Sequence, residues 1–278
     1  MLFTLWPRKQ APRSASKARR TSKPAAPRLR PQLETLEDRC VPSTLEVVNT
    51  ADYGPGSLRY EIAQAKSSDT IVFDFSTSHD KTANSRPHTI TLFGGELFIN
   101  KNLTIKGPGA GLLTIASQPY LNGLFEPVNG SRIFEVDGAG TTVAISGLTL
   151  ANGGGTRDSS GVTGNPYDGY GGAILNFGKL TLSNCTLGPV VIAGNVGSGN
   201  TAEIGGGIAN FGMLTVSGCT LSGNTAYGVT GGRSVGEGGG IYNAGTAAAL
   251  TVLNSTFSGN SPDNIFGPYT DGGGNTFK

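Results

Sequence analysis

Short runs of alternating apolar and polar residues, separated by Gly, Asn and Pro, fill the chain from His88 onwards. Such runs are typical of β-strands that bury one face and expose the other. Examples are the segments TITLF, ELFIN, NLTIKG, LLTIAS, RIFEV and TVAISGLTL. The pattern predicts an all-β protein made of many short strands.

One such run recurs three times between Gly171 and Asn260. The copies read GGAILNFGKLTLSNCTL, GGGIANFGMLTVSGCTLSGN and GGGIYNAGTAAALTVLNSTFSGN. Each has a Gly-Gly pair, an Ile, an Asn, a short apolar run and a turn of small residues. A period of roughly 33 to 36 residues is typical of stacked repeats, in which each unit buries its apolar face against the next. We therefore predict a right-handed parallel β-helix, a solenoid, over residues 44–278.

Aligning the coils places apolar side chains in two columns. The first column is Leu103, Val143, Leu180, Leu214 and Leu250. The second column is Ile105, Ile145, Leu182, Val216 and Leu253. A three-Ala insertion in the last copy makes the last member of the second column less well defined. Side chains in one column should stack at about the 4.8 Å spacing of neighbouring strands.

Two different segments precede the stack. Residues 1–43 are rich in Pro and basic residues and lack apolar periodicity, so we predict a disordered basic leader. From residue 44, a strand and a Gly-Pro turn lead into an amphipathic helix with Leu58, Ile62 and Ala65 on one face. This short N-terminal helix is predicted to cap the first edge of the stack.

Charge is distributed unevenly along the chain. Residues 1–40 have ten Lys/Arg against three Asp/Glu, and the remainder has eleven against sixteen, a net charge of −5. Such a body lacks the concentrated basic surface that phosphate groups require, so we predict no nucleic-acid partner. No segment has the apolar length of a membrane-spanning helix, so we predict no transmembrane segment.

Some polar residues also recur with the repeat. Three asparagines fall at one offset after the Gly-Gly pair: Asn176, Asn210 and Asn243. Stacked side-chain amides can hydrogen-bond along the axis, so we predict a structural ladder. No cofactor-binding motif is recognisable, and no cofactor is predicted.

Cysteines supply a further repeat position. Cys185 and Cys219 align with Leu148 and Ser255, and a column of buried free thiols is the favoured interpretation. A disulfide between the two cysteines is the alternative, although parallel side chains one coil apart are not ideally aimed. With Cys40 the chain has three cysteines and no CxxC spacing, so no metal site is predicted.

Carboxylates that precede the Gly pairs are the candidates for chemistry. Asp168, Glu203 and Glu237 lie one to three residues before them, where stacking could bring them within reach of one another. Parallel β-helices include lyases with a Ca²⁺ carboxylate cluster and hydrolases with paired carboxylates. Solvated turn carboxylates are the favoured interpretation, and these three residues are the catalytic candidates if the protein is an enzyme.

Loop tyrosines are the other functional signal. Tyrosine rings can stack on sugars or anchor a protein partner. The loop tyrosines are Tyr120, Tyr167, Tyr170, Tyr227, Tyr242 and Tyr269. Scattered loop tyrosines are also common, so partners such as surface glycans or cell-envelope and matrix proteins stay a hypothesis.

Three stretches resemble exported bacterial proteins. VVNTADYGPGSLRYEIAQA with the following DTIVFDF is similar to the opening module of many bacterial surface β-helix proteins. RPQLETLEDRCVPS resembles the N-terminal LExLExR-type segment of large exported planctomycete-type proteins, which implies sorting toward the cell surface.

The GGAI-type tetrads and Phe257-Ser258-Gly259-Asn260 resemble the GGAI and FxxN repeats of the polymorphic outer membrane protein family. This resemblance implies a surface-exposed passenger involved in adhesion. The chain departs from the pattern where Leu221 replaces Phe and where two tetrads read GGGI. About eighteen residues follow Asn260 in the sequence, so we expect no autotransporter barrel.

The patterns and resemblances together lead to one functional hypothesis. We expect an exported, extracellular or cell-surface β-helical protein that serves non-enzymatic adhesion or structural display. The alternative is a polysaccharide lyase or glycoside hydrolase of the β-helix class.

Overall fold

A computed structural model gives the structure of the protein. It describes residues 41–278 except 119, 122–126, 129, 156–165, 190, 193–194, 197–198, 229–235 and 245–248. The LETLEDR segment and Cys40 lie outside the described residues.

The described residues form short strands and one α-helix of seven residues. The elements of the first half are β1 (Thr44–Val47), α1 (Leu58–Gln64), β2 (Asp69–Phe73), a 3-10 turn (Ala83–Ser85), β3 (His88–Leu92), β4 (Leu97–Ile99), β5 (Leu103–Lys106), β6 (Leu113–Ser117), β7 (Tyr120–Leu121), β8 (Pro127–Val128), β9 (Phe134–Val136), β10 (Thr142–Ser146) and β11 (Thr149–Ala151). The elements of the second half are β12 (Ile174–Asn176), β13 (Lys179–Ser183), β14 (Thr186–Leu187), β15 (Val191–Ile192), β16 (Asn195–Val196), β17 (Thr201–Ala202), β18 (Ile208–Asn210), β19 (Met213–Ser217), β20 (Thr220–Ser222), β21 (Thr225–Ala226), β22 (Ile241–Asn243), β23 (Ala249–Leu253), β24 (Thr256–Ser258), β25 (Ile265–Phe266), β26 (Thr270–Asp271) and β27 (Thr276–Phe277).

Most strands stack into three long sheets, and from β2 to β25 each coil of the chain contributes a strand to each sheet in turn. Sheet A has the order β1-β2-β5-β10-β13-β19-β23-β26, sheet B has β3-β6-β11-β14-β20-β24-β27, and sheet C has β4-β9-β12-β18-β22-β25. Every pairing in the three sheets is parallel. The architecture is therefore an all-β parallel β-helix, which confirms the predicted fold class.

The core lies inside the three sheets and is almost entirely aliphatic. The pairing of Leu103, Val143, Leu180, Leu214 and Leu250 confirms the first predicted column. The second column is wrong at its last member, because Val252 pairs with Val216 and is fully buried, whereas Leu253 pairs with Ser217. Side chains alternate along a strand, so the inward residue after Leu250 has to lie two positions on.

The helix α1 covers the N-terminal end of this core. Ser57 caps it by accepting a hydrogen bond from the Tyr60 N–H, and Leu58, Ile62 and Ala65 are buried as predicted. Lys101 Nζ donates to the carbonyls of Ile62 and Ala65, where unpaired carbonyls and a partial negative charge attract a cation.

An arginine fixes the turn before the helix to the first coil. Arg59 donates to the Asp52 carboxylate and to the carbonyls of Gly95 and Glu96. The same carboxylate accepts hydrogen bonds from the Phe93 and Gly94 N–H groups, each at 2.8 Å. One ion pair thereby satisfies four backbone groups of a neighbouring turn.

The Gly-Gly pairs are explained by the turn that leads into sheet C. Gly171, Gly205 and Gly238 have φ values of 66°, 68° and 65°, in the left-handed region that favours glycine. A Cβ at Gly205 would lie 2.5 Å from the Ile208 carbonyl oxygen, so the turn also has no room for a side chain. In the part of the chain that the structure describes, no helix has the length and apolar character needed to cross a membrane.

Candidate functional site

The outer face of sheet C differs from an ordinary solvated sheet face. Glu135, Leu175 and Ala209 alternate with inward residues and so face outward, yet they are as buried as the core. Phe98 and Phe266, at the two edges of the same face, are 41% and 39% exposed. A second layer therefore covers the middle of this face.

A buried arginine and two glutamates, here called the Arg132 hub, lie in that layer. Arg132 is fully buried, and its Nη1 donates to Glu96 Oε2 at 2.5 Å and to Glu135 Oε2 at 3.0 Å. The side chains of Glu96 and Glu135 are only 4% and 5% exposed. Two carboxylates thus share one buried guanidinium.

The remaining donors of the Arg132 hub bind the covering segment. Arg132 Nε donates to the Tyr170 carbonyl at 3.0 Å, and Nη2 donates to the carbonyls of Tyr167 and Gly155 at 2.9 and 3.1 Å. These contacts and the two carboxylate contacts use all five guanidinium N–H groups. Arg132 therefore fixes segment 166–170 to the outside of sheet C.

The net charge of the Arg132 hub depends on whether the Glu96 carboxyl is protonated. Burial raises the pKa of Glu96 to about 7, against the opposing effect of Arg132 and with a further increase from the neighbouring Glu135. A buried carboxyl next to a second carboxyl keeps its proton more readily than a solvated one. Glu96 is therefore largely protonated below about pH 7.

Six aromatic side chains, here called the aromatic strip, extend along the outer face of sheet C. Their ring centroids lie between 4.7 and 6.4 Å from those of their neighbours. The strip consists of Tyr167, Tyr170, Phe177, Phe211, Tyr242 and Phe266. Phe266 is exposed and the other five are half-buried, so the strip is both packed and accessible.

The three catalytic candidates occupy three different positions in the register. Isolated parallel bridges join Tyr170 to Ile204 and Ile204 to Glu237. Glu237 therefore aligns with Ile204, Glu203 aligns one position earlier, and Asp168 one position earlier again. In the described part of the chain, no three His, Cys, Asp or Glu side chains come together in a group that could hold a metal ion. The carboxylates lie on a diagonal instead of forming one column.

These carboxylates lie close to tyrosines. Partial burial and the charges of Glu237 and Tyr170 raise the pKa of Tyr242. Partial burial and the charge of Glu203 likewise raise the pKa of Tyr227, whose side chain is 56% exposed. The aromatic strip therefore has an acidic neighbour at Tyr242.

The predicted asparagine ladder positions coincide with a hydrogen-bonded column. Asn176 Nδ2 donates to Asn210 Oδ1, and Asn210 Nδ2 donates to Asn243 Oδ1, both at 2.7 Å. All three side chains are buried. The column also holds the adjacent turn, because Asn176 Oδ1 accepts from the Gly178 N–H.

A second asparagine column was not predicted. Asn200 Nδ2 donates to Asn224 Oδ1 and Asn224 Nδ2 donates to Asn260 Oδ1, both at 2.9 Å. Each of the three follows a Ser-Gly pair, and this Ser-Gly-Asn repeat is the sequence signal that could have found the column. Asn224 and Asn260 lie three residues after Leu221 and Phe257. In the preceding coil, an insertion containing the antiparallel pair β15–β16 separates Asn200 from Leu187, so the equivalence of Asn200 to the other two is hidden in the sequence.

Cys185 and Cys219 are buried and free. Cys185 N–H donates to Cys219 Sγ at 3.4 Å, and Cys219 N–H donates to Ser255 Oγ at 3.1 Å, so these side chains form one column. The hydrogen bond with Cys219, together with burial, raises the pKa of the Cys185 thiol. Cys185 and Cys219 therefore have the surroundings of structural residues in the core.

A cleft of about 280 Å³ between α1 and β4 is a weaker candidate site. It is lined in part by Arg59, Lys101, Phe98 and Glu96. Both cations already donate to backbone carbonyls at the end of α1 and in the first coil. The cleft therefore offers less unused polar capacity than the outer face of sheet C.

Of the loop tyrosines, Tyr167, Tyr170 and Tyr242 come together in the aromatic strip. Tyr227 and Tyr269 lie elsewhere on the surface, and the side chain of Tyr120 lies outside the described residues. Comparison with protein-family models finds no matching family, and comparison with curated proteins finds no match either.

Proposed function

We propose that the protein acts outside the cell as a rigid, non-enzymatic scaffold that contacts surface glycans or matrix components. One observation carries this proposal: the contiguous, partly exposed aromatic strip on a rigid sheet face. Contiguous exposed apolar surface is uncommon on soluble proteins and marks binding sites. Inside the described stack, every buried side-chain N and O atom has a hydrogen-bond partner.

The family resemblances support export and surface location. Asn176 and Asn210 follow the tetrads, and Asn260 ends the FxxN motif, so the shared motif residues belong to the two amide columns. Their repetition follows from the stack itself. Surface sorting through the LETLEDR segment and adhesion of the polymorphic outer membrane type are therefore separate parts of the proposal, and each needs its own test.

The enzymatic alternative depends on Asp168, Glu203 and Glu237. Glycosidases need two carboxylates at a defined separation on either side of one bond. Residues at three successive register positions of three coils are less suited to that task than one column of identical residues. A lyase or hydrolase therefore remains the second candidate function.

Surface labelling of intact cells tests the proposal. We expect a membrane-impermeant amine reagent to label the full-length protein on intact cells, whereas a cytosolic marker protein stays unlabelled. Labelling only after lysis would contradict the proposal.

Incubation of the purified protein with polyuronides and neutral glycans tests the enzymatic alternative. Depolymerisation that is lost in a D168A/E203A/E237A variant would establish an enzyme in place of a scaffold.

A further inference from the structure

The aromatic strip has the chemistry of a site for an uncharged, hydroxyl-rich polymer. Phe177 and Phe211 stack at 5.4 Å, Tyr242 and Phe266 at 5.7 Å, and Tyr170 contacts both pairs of rings through Phe211 and Tyr242. Aromatic side chains in binding sites combine a large apolar surface with, for tyrosine, a polar tip. Sugar rings have the same combination of C–H surface and hydroxyl groups.

Charge around the strip selects against acidic ligands. Glu237 lies close to Tyr242, and Glu203 lies against Gly169, where an added Cβ would be 2.6 Å from Glu203 Oε2. The described segments 166–170, 203–211 and 236–243 contain no Lys or Arg, and the exposed Lys179, two residues after Phe177, begins strand β13 of sheet A. Carboxylates accept hydrogen bonds from hydroxyl groups but repel uronates, sulfates and phosphates.

The strip has a direction and a repeat. Phe177 and Phe211 directly follow the paired strands β12 and β18, while Tyr242 and Phe266 belong to the next two strands of sheet C. Phe177 and Phe211 form one column, and Tyr242 and Phe266 form a second column two register positions away, because Tyr242 pairs with Ala209 and not with Phe211. Within the two columns the ring centroids lie 5.4 and 5.7 Å apart from one coil to the next, a spacing comparable to the length of one pyranose unit in an extended glycan.

We propose that the aromatic strip, with the carboxylates of Glu203 and Glu237 beside it, binds an uncharged polysaccharide that lies along the β-helix axis. Arg132 positions this site, because it fixes the carbonyls of Tyr167 and Tyr170, whose rings belong to the strip. The inference names the ligand class of the proposed surface scaffold and rests on that function for its biological setting.

Affinity electrophoresis of the purified full chain tests the ligand class. The gels contain hydroxyethylcellulose, xyloglucan or glucomannan as uncharged polymers, and polygalacturonate as the acidic polymer. We expect retardation by at least one uncharged polymer and none by polygalacturonate. Absence of retardation by all three uncharged polymers, or retardation by polygalacturonate alone, would overturn the proposal.

Ring substitutions test the location of the site. We expect Y242A/F266A to weaken binding about tenfold or more, since each ring contact contributes on the order of 1 kcal/mol. Phe93→Ala is the matched control, because Phe93 is a 58% exposed ring in the turn after β3 of sheet B, near the N-terminal end of the stack, and its loss should leave binding unchanged. Unchanged binding by Y242A/F266A would overturn the proposal. Phe266→Ala alone, at an exposed position, serves if the double variant does not fold.

A carboxylate substitution tests the selectivity. Glu237→Gln keeps the shape and a hydrogen-bond acceptor but removes the charge, so polygalacturonate binding should rise relative to binding of the uncharged polymer; an unchanged ratio would contradict selection by charge. Binding by the purified protein without surface labelling of cells would refute the extracellular function and leave the site intact. Surface labelling without binding to an uncharged polymer would refute the site alone.

Discussion

The N-terminal coils and the C-terminal repeats are held together by different polar interactions. Up to β11, the chain relies on two arginines, Arg59 and Arg132, which each bind carboxylates and several backbone carbonyls. From β12 onwards, neutral amide columns connect one coil to the next, as in Asn176 to Asn210. The two regions belong to one stack of parallel sheets.

The difference follows from whether neighbouring coils are alike. An amide column needs the same residue at the same position in successive coils, and only the repeats provide it. Where unlike segments meet, an arginine with five fixed donors can satisfy unrelated carbonyls and carboxylates at once. A charged hub in low-dielectric surroundings is costly to disrupt, whereas an amide column distributes its contribution over several coils.

Loss of the Arg132 side chain should have the largest effect on stability. We expect Arg132→Met to lower the free energy of unfolding by about 3–5 kcal/mol, because two buried carboxylates and three carbonyls lose their donor. Chemical denaturation followed by circular dichroism measures this. Arg86→Met is the matched control: its side chain is 63% exposed and paired with Asp80, so we expect a change below about 1 kcal/mol. Equal effects of the two substitutions would contradict the role of the hub.

The Arg132 hub should also make stability depend on pH. The pKa of Glu96 is about 7 in the folded chain and 4.5 in its ordinary range, so the folded state holds the proton more tightly. Its contribution is fully present below about pH 4.5 and is lost as the pH rises through 7, a change of roughly 3 kcal/mol. We expect Glu96→Gln to remove this fall from the pH profile of unfolding. An identical profile in both proteins would show that Glu96 titrates normally.

Interrupting an amide column should have a smaller effect. We expect Asn210→Ala to cost roughly 1–3 kcal/mol, because Asn176 and Asn243 each lose a buried partner. Thermal and chemical denaturation measure it. Thr181→Ala, at an exposed position of β13, is the control and should stay within about 0.5 kcal/mol. If Asn210→Ala lowered the free energy of unfolding more than Arg132→Met, the expectation that the Arg132 hub contributes more than an amide column would be wrong.

The cysteine column should be the most tolerant. Ser255 already occupies this position and accepts a hydrogen bond from Cys219 N–H, so Cys219→Ser should change stability by less than about 1 kcal/mol. In the folded protein, neither Cys185 nor Cys219 should react with a thiol reagent, because both are buried and the pKa of Cys185 is raised. Mass spectrometry before and after unfolding measures this. A disulfide between Cys185 and Cys219 in the native protein would contradict the structure, in which both thiols are free.

Local repetition explains which features were predictable from sequence. The stack, the first apolar column and the capping face of α1 follow from alternation and period alone. The second apolar column went wrong at Leu253 because counting across an insertion ignored the alternation from Leu250. The Asn-Phe-Gly repeats at 176–178 and 210–212 contained the signal for two rings of the strip.

The Arg132 hub had no comparable signal. Its partners lie at positions 96, 135, 155, 167 and 170, and only the stacking of unlike segments brings them together. In a sequence, a single arginine before an apolar strand gives no sign that its side chain is buried. Long-range charged clusters of this kind depend on tertiary structure, whereas columns depend on the repeat.

The location of ligand binding on sheet C is tested most directly by NMR. The isotope-labelled full chain is titrated in turn with oligosaccharides of cellulose, xyloglucan and glucomannan, and chemical-shift changes are mapped on the aromatic side chains. We predict that the largest changes cluster at Tyr170, Phe211, Tyr242 and Phe266. Changes confined to the cleft beside α1, at Phe98 and its neighbours, or no changes at all, would contradict the account.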